Sequence, residues 1–422
     1  MSTTIPVGSP LARKVYSVGL FAKVQSAPGF MNLLSGSMPK EGDFAAKAKG
    51  QTSPDYPIIK TGDLAKGAGD TVSVDLFNLL QGKPVMGDKR IAGKMMQLTS
   101  SSMDVSINQV RGGADSGAKM TQKRTVHNLR SVAMAGLQGW MQRYEDQTSL
   151  VQLAGARGSQ QTADWVVPLQ ADPDFAETMV NSVRAPTKNR YFAANDANNV
   201  ADMGTNDALT LQDIDRIVSV LRESANPLQS IKIQGDERAW NDPLWAMFVT
   251  ERQWLYMQSR TSQTQWRQAM QNAFERKSAG VKHPLFDSYE SIMWNGMLIK
   301  RMNRYAIRFN TGDTVVSDTG GADGKTYTES NIVAAVPTDR AIIVGAQALA
   351  KAYGKSKSDY FYDWSEEEVD HGNAIEIVTS LMSGCSKIRF KVDGEDTDFG
   401  VAVVDSYAPD PSSAAGRTLL AS

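Results

Sequence analysis

The chain has 422 residues, 41% of them apolar and 22% charged, which excludes a disordered polymer and suggests two or three domains of roughly 150 residues. A single cysteine, Cys385, excludes an intrachain disulfide, and three histidines scattered along the sequence (His127, His283, His371) exclude a Cys/His zinc motif, leaving only a mixed carboxylate site open. The net charge of −1 hides a division: residues 1–144 hold 18 Lys and Arg against nine Asp and Glu (+9) and the remainder sums to −10, so one region meets a polyanion or an acidic neighbour, or the charges are segregated by chance.

Residues 1–55 are rich in Gly, Pro, Ser and Thr, with short apolar pieces such as Val15–Tyr16, Leu20–Phe21 and Phe30–Met31. They read as an extended arm lying on another surface, its own body or a neighbouring copy. The opening MSTTIPVGSP lacks the basic segment and apolar core of a secretory signal. Residues 56–114 read as β structure. Thr71–Leu76 alternates with period two, as do Met103, Val105 and Ile107, and between them QGKPVMGDKRIAGK carries Lys83, Lys89, Arg90 and Lys94 against Asp88 alone. This predicts a long two-stranded excursion with a basic tip. An isolated hairpin is marginal in water, so a long one is expected to rest on something else.

Residues 118–154 read as one long helix, with Val126, Leu129, Ala133, Leu137, Trp140, Met141 and Tyr144 on one face. Unbroken, it would reach about 55 Å; Gly136 and Gly139 are the places for a break. From 155 to 357 the pattern is mixed α/β. Thr210 is a candidate N-cap for a helix over 211–223, Ala246–Val249 reads as a buried strand, and Ser262–Lys277 as a helix. Residues 311–330 predict a polar, Gly-rich surface loop, Ile332–Val336 a strand, and Val344–Tyr353 a short helix ended by Gly354. The longest near-apolar stretch, 341–350, is far short of the roughly 20 residues of a membrane helix. Residues 358–408 return to β structure: Ile388, Phe390 and Val392 alternate with Lys387, Arg389 and Lys391, and Phe399–Val404 is a candidate neighbour strand. The tail, 409–422, is expected to fray.

The densest ionisable cluster is Asp363, Glu366, Glu367, Glu368, Asp370 and His371. It suits a hard cation or acid–base chemistry, yet three consecutive glutamates cannot all face one point, and a solvated acidic turn or pairing with a basic neighbour is the simpler reading. Gly155-Ala156-Arg157-Gly158 lacks the spacing of a phosphate loop, and no GxSxG or HExxH string occurs. Cys385 reads as a core thiol. Trp240, Trp245, Trp254, Tyr256 and Trp266 can stack on bases or sugars, but their apolar company marks them as core. Arg13, Lys14, Lys23, Lys119, Lys123, Arg124 and Arg130 have no interleaved aromatics, so any contact with nucleic acid is expected at phosphates; plain solvation is the alternative.

The order of arm, long β excursion, rod helix, α/β body and closing strands resembles the Hong Kong 97-type fold of tailed-phage major capsid proteins, an α+β architecture. Val249-Thr250-Glu251-Arg252-Gln253-Trp254, His283-Pro284-Leu285-Phe286, Trp294-Asn295-Gly296, Asp370-His371-Gly372-Asn373 and Asp398-Phe399-Gly400-Val401 sharpen the likeness, in this order, toward the family typified by coliphage N-four. The resemblance implies an N-terminal arm (1–55), an extended loop (56–114), and a spine helix (118–154) of a peripheral domain. It further implies a mostly axial α/β part (155–357), closing peripheral strands (358–408) and a flexible tail (409–422). It implies a non-enzymatic subunit without cofactor that tiles with many copies of itself, as hexamers and pentamers, into an icosahedral head shell around double-stranded DNA. Portal and scaffolding proteins, and a decoration protein, would be further partners. The protein would reside in the virion and, during assembly, in the host cytoplasm, with no membrane. Lys83, Lys89, Arg90 and Lys94 would meet a neighbouring subunit, and the basic residues from Arg13 to Arg130 would face DNA. Some relatives of this fold join lysine to asparagine between subunits, for which Lys89 and Lys94 are candidates without a matching motif. Rival readings are a nanocompartment shell of the same fold, a metal-dependent hydrolase using 363–371, and a nucleic-acid-binding module using the basic N-terminal third.

Overall fold

A computed structural model describes residues 6–26, 29–36, 52–64, 69–77, 84–88, 90, 100–124, 129–195, 197–224, 226–233, 243–278, 283–286, 290–302, 304–355, 360–392 and 394–421. In chain order its helices are α1 (Pro10–Ser26), α2 (Phe30–Leu33), α3 (Lys119–Arg124), α4 (Leu129–Ala154), α5 (Asp174–Thr178), α6 (Leu211–Glu223), α7 (Glu251–Arg260), α8 (Gln263–Ser278) and α9 (Ala414–Ala421). The strands are β1 (Ile58–Leu64), β2 (Thr71–Phe77), β3 (Ser100–Ser106), β4 (Asn108–Ala118), β5 (Tyr191–Ala193), β6 (Trp245–Thr250), β7 (Ser291–Trp294), β8 (Met297–Met302) and β9 (Ile307–Phe309). They continue with β10 (Thr314–Asp318), β11 (Glu329–Val333), β12 (Thr338–Val344), β13 (Leu349–Gly354), β14 (Tyr362–Val369), β15 (Ala374–Lys387), β16 (Arg389–Val392), β17 (Glu395–Asp398) and β18 (Val401–Tyr407).

Two sheets flank the rod helix α4. One runs β1-β13-β15-β14, with β4 also paired to β15. The 14-residue β15 is long enough for β13 to pair with its C-terminal half and β14 with its N-terminal half, while β4 runs antiparallel over residues 374–383. The other sheet runs β5-β18-β12-β6-β8-β7, with β9 on β12. Its central strands β6, β12 and β18 are buried along their whole length. The two-residue period of a strand explains how. Ala341 and Ile343 join Ile214, Ile217, Trp254 and Trp266 of the covering helices. Ile342 and Val344 join Leu150, Val151 and Leu153 of α4.

α4 passes Gly136 and Gly139 without a break, and its last eleven residues, 144–154, are all buried. At 1.5 Å per residue its 26 residues span about 39 Å. It stops at Gly155, whose φ of +66° and close approach to the Arg184 carbonyl admit no side chain. Preceding it, α3 covers 119–124, and residues 125–128 lie outside the described set. β2 and β3 pair antiparallel as a sheet of their own. The base of this hairpin packs Val72 and Val105 against Ile59, Ala350, Ala352, Ile388 and Phe390.

Several sequence expectations meet a different structure. The arm is not extended throughout: Pro10–Ser26 is helical, because Ala12, Leu20 and Val24 fall on one face and the body buries them. Val344–Tyr353 is no helix but the end of β12, a turn and β13. Apart from Gln347 and Lys351 the run is apolar, without alternation, because both faces of each strand are covered, a pattern that periodicity cannot tell from a buried helix. Within 311–330 the polar, Gly-rich loop is confined to residues 319–328, flanked by the paired strands β10 and β11, and the strand expected over 332–336 is shifted to Glu329–Val333. The neighbour of β16 is β17, whereas Val401–Tyr407 joins the other sheet beside β12. The tail forms α9 up to Ala421, anchored by Leu419 against Tyr256 and Tyr407.

Candidate assembly surfaces

The arm helix α1 lies over the chain's own body, and its position follows from specific contacts. Along β14, Arg13 donates from Nε to Asp363 Oδ1 at 2.8 Å. The Trp364 N–H donates to Ser17 Oγ at 3.1 Å, and Tyr16 packs on Trp364 with ring centroids 5.3 Å apart. Arg130 of α4 binds Glu366 through two hydrogen bonds of 2.6 Å and stands 4.8 Å above the Tyr16 ring. The acidic cluster is therefore a strand, β14, and it does pair with basic residues, although with those of the same chain. Residues 370–372 form the following turn, all with positive φ. Among the described residues no group of three or more His, Cys, Asp or Glu is placed to hold a metal.

Beneath the arm, α4 carries a buried polar cluster. Glu145 accepts hydrogen bonds from Tyr353 Oη at 3.0 Å and Tyr362 Oη at 2.8 Å, with Lys351 Nζ 3.3 Å away. Asp146 accepts the Met31 N–H at 2.9 Å, and burial pushes its carboxyl up to about 6. Lys60 donates to Gln25 Oε1 at 2.8 Å and Asn32 Oδ1 at 3.0 Å, and burial lowers its ammonium to about 8. Cys385 is a buried thiol that burial pushes above its ordinary value, in keeping with a core role. Beside this cluster lies a cleft of about 800 Å³ lined by Phe30, Leu33, Arg143, Phe248, His283 and Tyr305 among others.

Of the basic residues singled out from sequence, Arg13 and Arg130 are engaged with Asp363 and Glu366. Lys14 and Lys23 are exposed on α1, and Lys119, Lys123 and Arg124 are exposed on α3. At the loop tip Arg90 is exposed, while Lys83, Lys89 and Lys94 lie outside the described residues, as does Trp240. Trp245, Trp254, Tyr256 and Trp266 are core residues. Arg157 of the two-glycine string is also internal, 3.5 Å from the Trp165 ring centroid and donating to the Val167 carbonyl.

The five strings behind the resemblance turn out to be fold determinants. Thr250 and Gln253 close a capping box at the start of α7, and Gln253 Nε2 reaches Asp339 O and Ser406 Oγ, each at 2.8 Å. Leu285 and Phe286 are core. Asn295 and Gly296, both with positive φ, turn β7 into β8 while Trp294 and Asn295 donate to Asp215. In the Asp370 turn, Asn373 Nδ2 donates to Asp370 Oδ2. Asp398 is buried. Burial pushes its carboxyl up, but Lys387 at 2.8 Å and Arg389 at 2.7 Å outweigh that and hold it below the usual range. Sequence reasoning did not find Asn181, whose amide bonds both backbone groups of Ser106. A lone asparagine between Val180 and Ser182 carries no local signal; only folding brings it to the strand.

Residues 4–410 match the model of a family described as phage capsid protein. A search among curated proteins gave no match. Among solved structures, the capsid of Ralstonia phage GP4 is 24% identical, covers 98% of this chain and 100% of its own, and superposes with a TM-score of 0.69. The Cyanophage Pam1 capsid is 16% identical over 89% of this chain and 96% of its own, with a TM-score of 0.56. The acid-stable capsid of Helicobacter pylori bacteriophage KHP30 is 13% identical over 84% and 89%, with a TM-score of 0.53. Among the described residues no helix is long and apolar enough to cross a membrane. With the hairpin, rod helix and two sheets of a Hong Kong 97-type fold, and a family match over nearly its whole length, the chain belongs to the phage capsid protein family, whose role is to form shells.

Proposed function

We propose that this chain is the major capsid subunit of a tailed phage, of the coliphage N-four type, and that its hexamers and pentamers close an icosahedral head around packaged double-stranded DNA. The observation that carries the reading, beside the family match, is the β2–β3 hairpin. It forms a separate sheet whose described strands pair only with each other, an arrangement suited to lying on a neighbouring copy. In this reading 1–55 is the arm, 56–114 the extended loop, and 118–154 the spine. Residues 155–357 are mostly axial, 358–408 close the peripheral domain, and 409–422 are the tail. Lys83, Lys89, Arg90 and Lys94 meet the adjoining subunit. The exposed bases of α1 and α3 face DNA through phosphate contacts. Portal, scaffolding and decoration proteins complete the particle, which is built in the host cytoplasm and resides in the virion.

Electron microscopy of the expressed protein tests this. Uniform closed shells are expected, and a compact monomer at high concentration would overturn the reading. Deleting 82–94 is expected to abolish shells while leaving a folded subunit; normal particles from that deletion would remove the loop from the assembly contact.

A further inference from the structure

Asn181 stands between the rod helix and the extended hairpin. Its backbone carbonyl accepts a hydrogen bond from Gln152 Nε2 of α4 at 2.7 Å. Its side chain faces the other way: Nδ2 donates to the Ser106 carbonyl at 2.8 Å, and Oδ1 accepts the Ser106 N–H at 3.0 Å. Ser106 ends β3, and Ile107 alone separates β3 from β4, which runs along β15. Ser106 and Ile107 are thus the corner where the chain passes from the body sheet to the hairpin. A primary amide that meets both the N–H and the C=O of one residue takes the place of a neighbouring strand, and two bonds fix an orientation that one would leave free to swing.

The corner sits in a notch cut by two glycines. Gly384 of β15 lies so close that a Cβ there would overlap the Ser106 carbonyl oxygen and come within 3.2 Å of Asn181 Nδ2. A Cβ on Gly354 of β13 would stand 2.6 Å from Ile107 Cδ1. The Ile107 N–H donates to Asp70 O at 2.8 Å, which ties the corner to the residue preceding β2. The clamp, the notch and the apolar base of the hairpin all act at one point.

We propose that Asn181 is a positioning residue that couples the spine helix to the extended hairpin and presets the direction in which the hairpin leaves the body. The coupling belongs to the isolated subunit; only its consequence for shells rests on the function proposed above. Spin labels at Ser102→Cys on β3 and Val132→Cys on α4, both exposed positions, with Cys385 buried, read the hairpin's direction as a distance distribution. The parent chain is expected to give one narrow distance. Asn181→Ala keeps the Gln152 bond, which is to the backbone, and is expected to broaden the distribution and speed amide exchange at Ser106 by at least about tenfold, with exchange in 150–154 unchanged. Gly384→Ala, which keeps the amide, is expected to shift the mean distance. Unchanged distances in both variants, or exchange that rises equally throughout the body, would overturn the proposal. Subunits whose hairpin distances broaden yet still build uniform shells would leave the coupling standing and count instead against the hairpin's part in assembly.

Discussion

Asp146 sits under the arm, where its carboxylate holds the Met31 N–H. Burial raises it from 3.8 to about 6; Glu145 pushes the same way, while the Met31 and Phe30 N–H groups and Lys351 pull it down. A carboxyl raised in the folded state binds its proton more tightly there than in the unfolded chain. It therefore favours the fold most below pH 3.8 and surrenders that advantage as pH climbs through about 6. At pH 7.5 the ionised group costs about 3 kcal/mol. Asp146→Asn keeps an oxygen acceptor for Met31 and is expected to raise the thermal midpoint at pH 7.5 but scarcely at pH 4; equal shifts at both would contradict this account. Other buried charges are matched instead. Arg340, 1% exposed, grips fully buried Asp405 through two bonds of 2.7 Å. Asp405→Asn leaves that guanidinium without its charge partner, and a loss of about 3–5 kcal/mol is expected in denaturant titration. Arg13–Asp363, with the arginine side chain 48% exposed, is a weaker pair, so Asp363→Asn should cost under about 1 kcal/mol by the same measurement. None of these pairings is legible in sequence, because Arg340 and Asp405, or Lys387 and Asp398, meet only once strands pair.

At the scale of elements, legibility followed how much of each segment faces water. The helix α6 was readable because one face is polar, and Thr210 with Asp213 supplies a capping box. β2 and β3 were readable because they alternate. β13 was not: covered on both faces, it buries even Lys351 and shows no polar alternation, and a strand and a helix buried on all sides look alike. The arm helix was missed for the opposite reason, since its buried stripe is interrupted by exposed Leu11, Val15 and Val18 and the segment reads as too mixed to be amphipathic. That helix is part of the body's core: Leu20 and Val24 are fully buried with Met141, Tyr362 and Leu381. Leu20→Ala is accordingly expected to destabilise the isolated subunit by about 2–5 kcal/mol, as core truncations do. An arm that served only neighbouring copies would show no change in the monomer's thermal midpoint.

For the molecule as a whole, the division of charge between the first 144 residues and the rest has a partial answer inside one subunit. Arg13 and Arg130 reach across to Asp363 and Glu366, so part of the basic third is neutralised by the acidic remainder. Lys14 on α1 and Lys119, Lys123 and Arg124 on α3 stay exposed. If these four serve a polyanion, they should release counterions when it binds, at about 0.9 in the log–log salt slope for each phosphate neutralised. Replacing all four by Gln is expected to lower the salt slope for random-sequence duplex DNA by up to about 4, with little effect on subunit stability. Arg13→Gln with Arg130→Gln is expected to do the reverse. The slope stays, because those charges are already engaged, and the thermal midpoint falls, because Glu366, whose side chain is 1% exposed, loses the guanidinium that accompanies it. A slope that drops with the second pair and holds with the first four would place the DNA-facing surface beneath the arm rather than on its exposed bases.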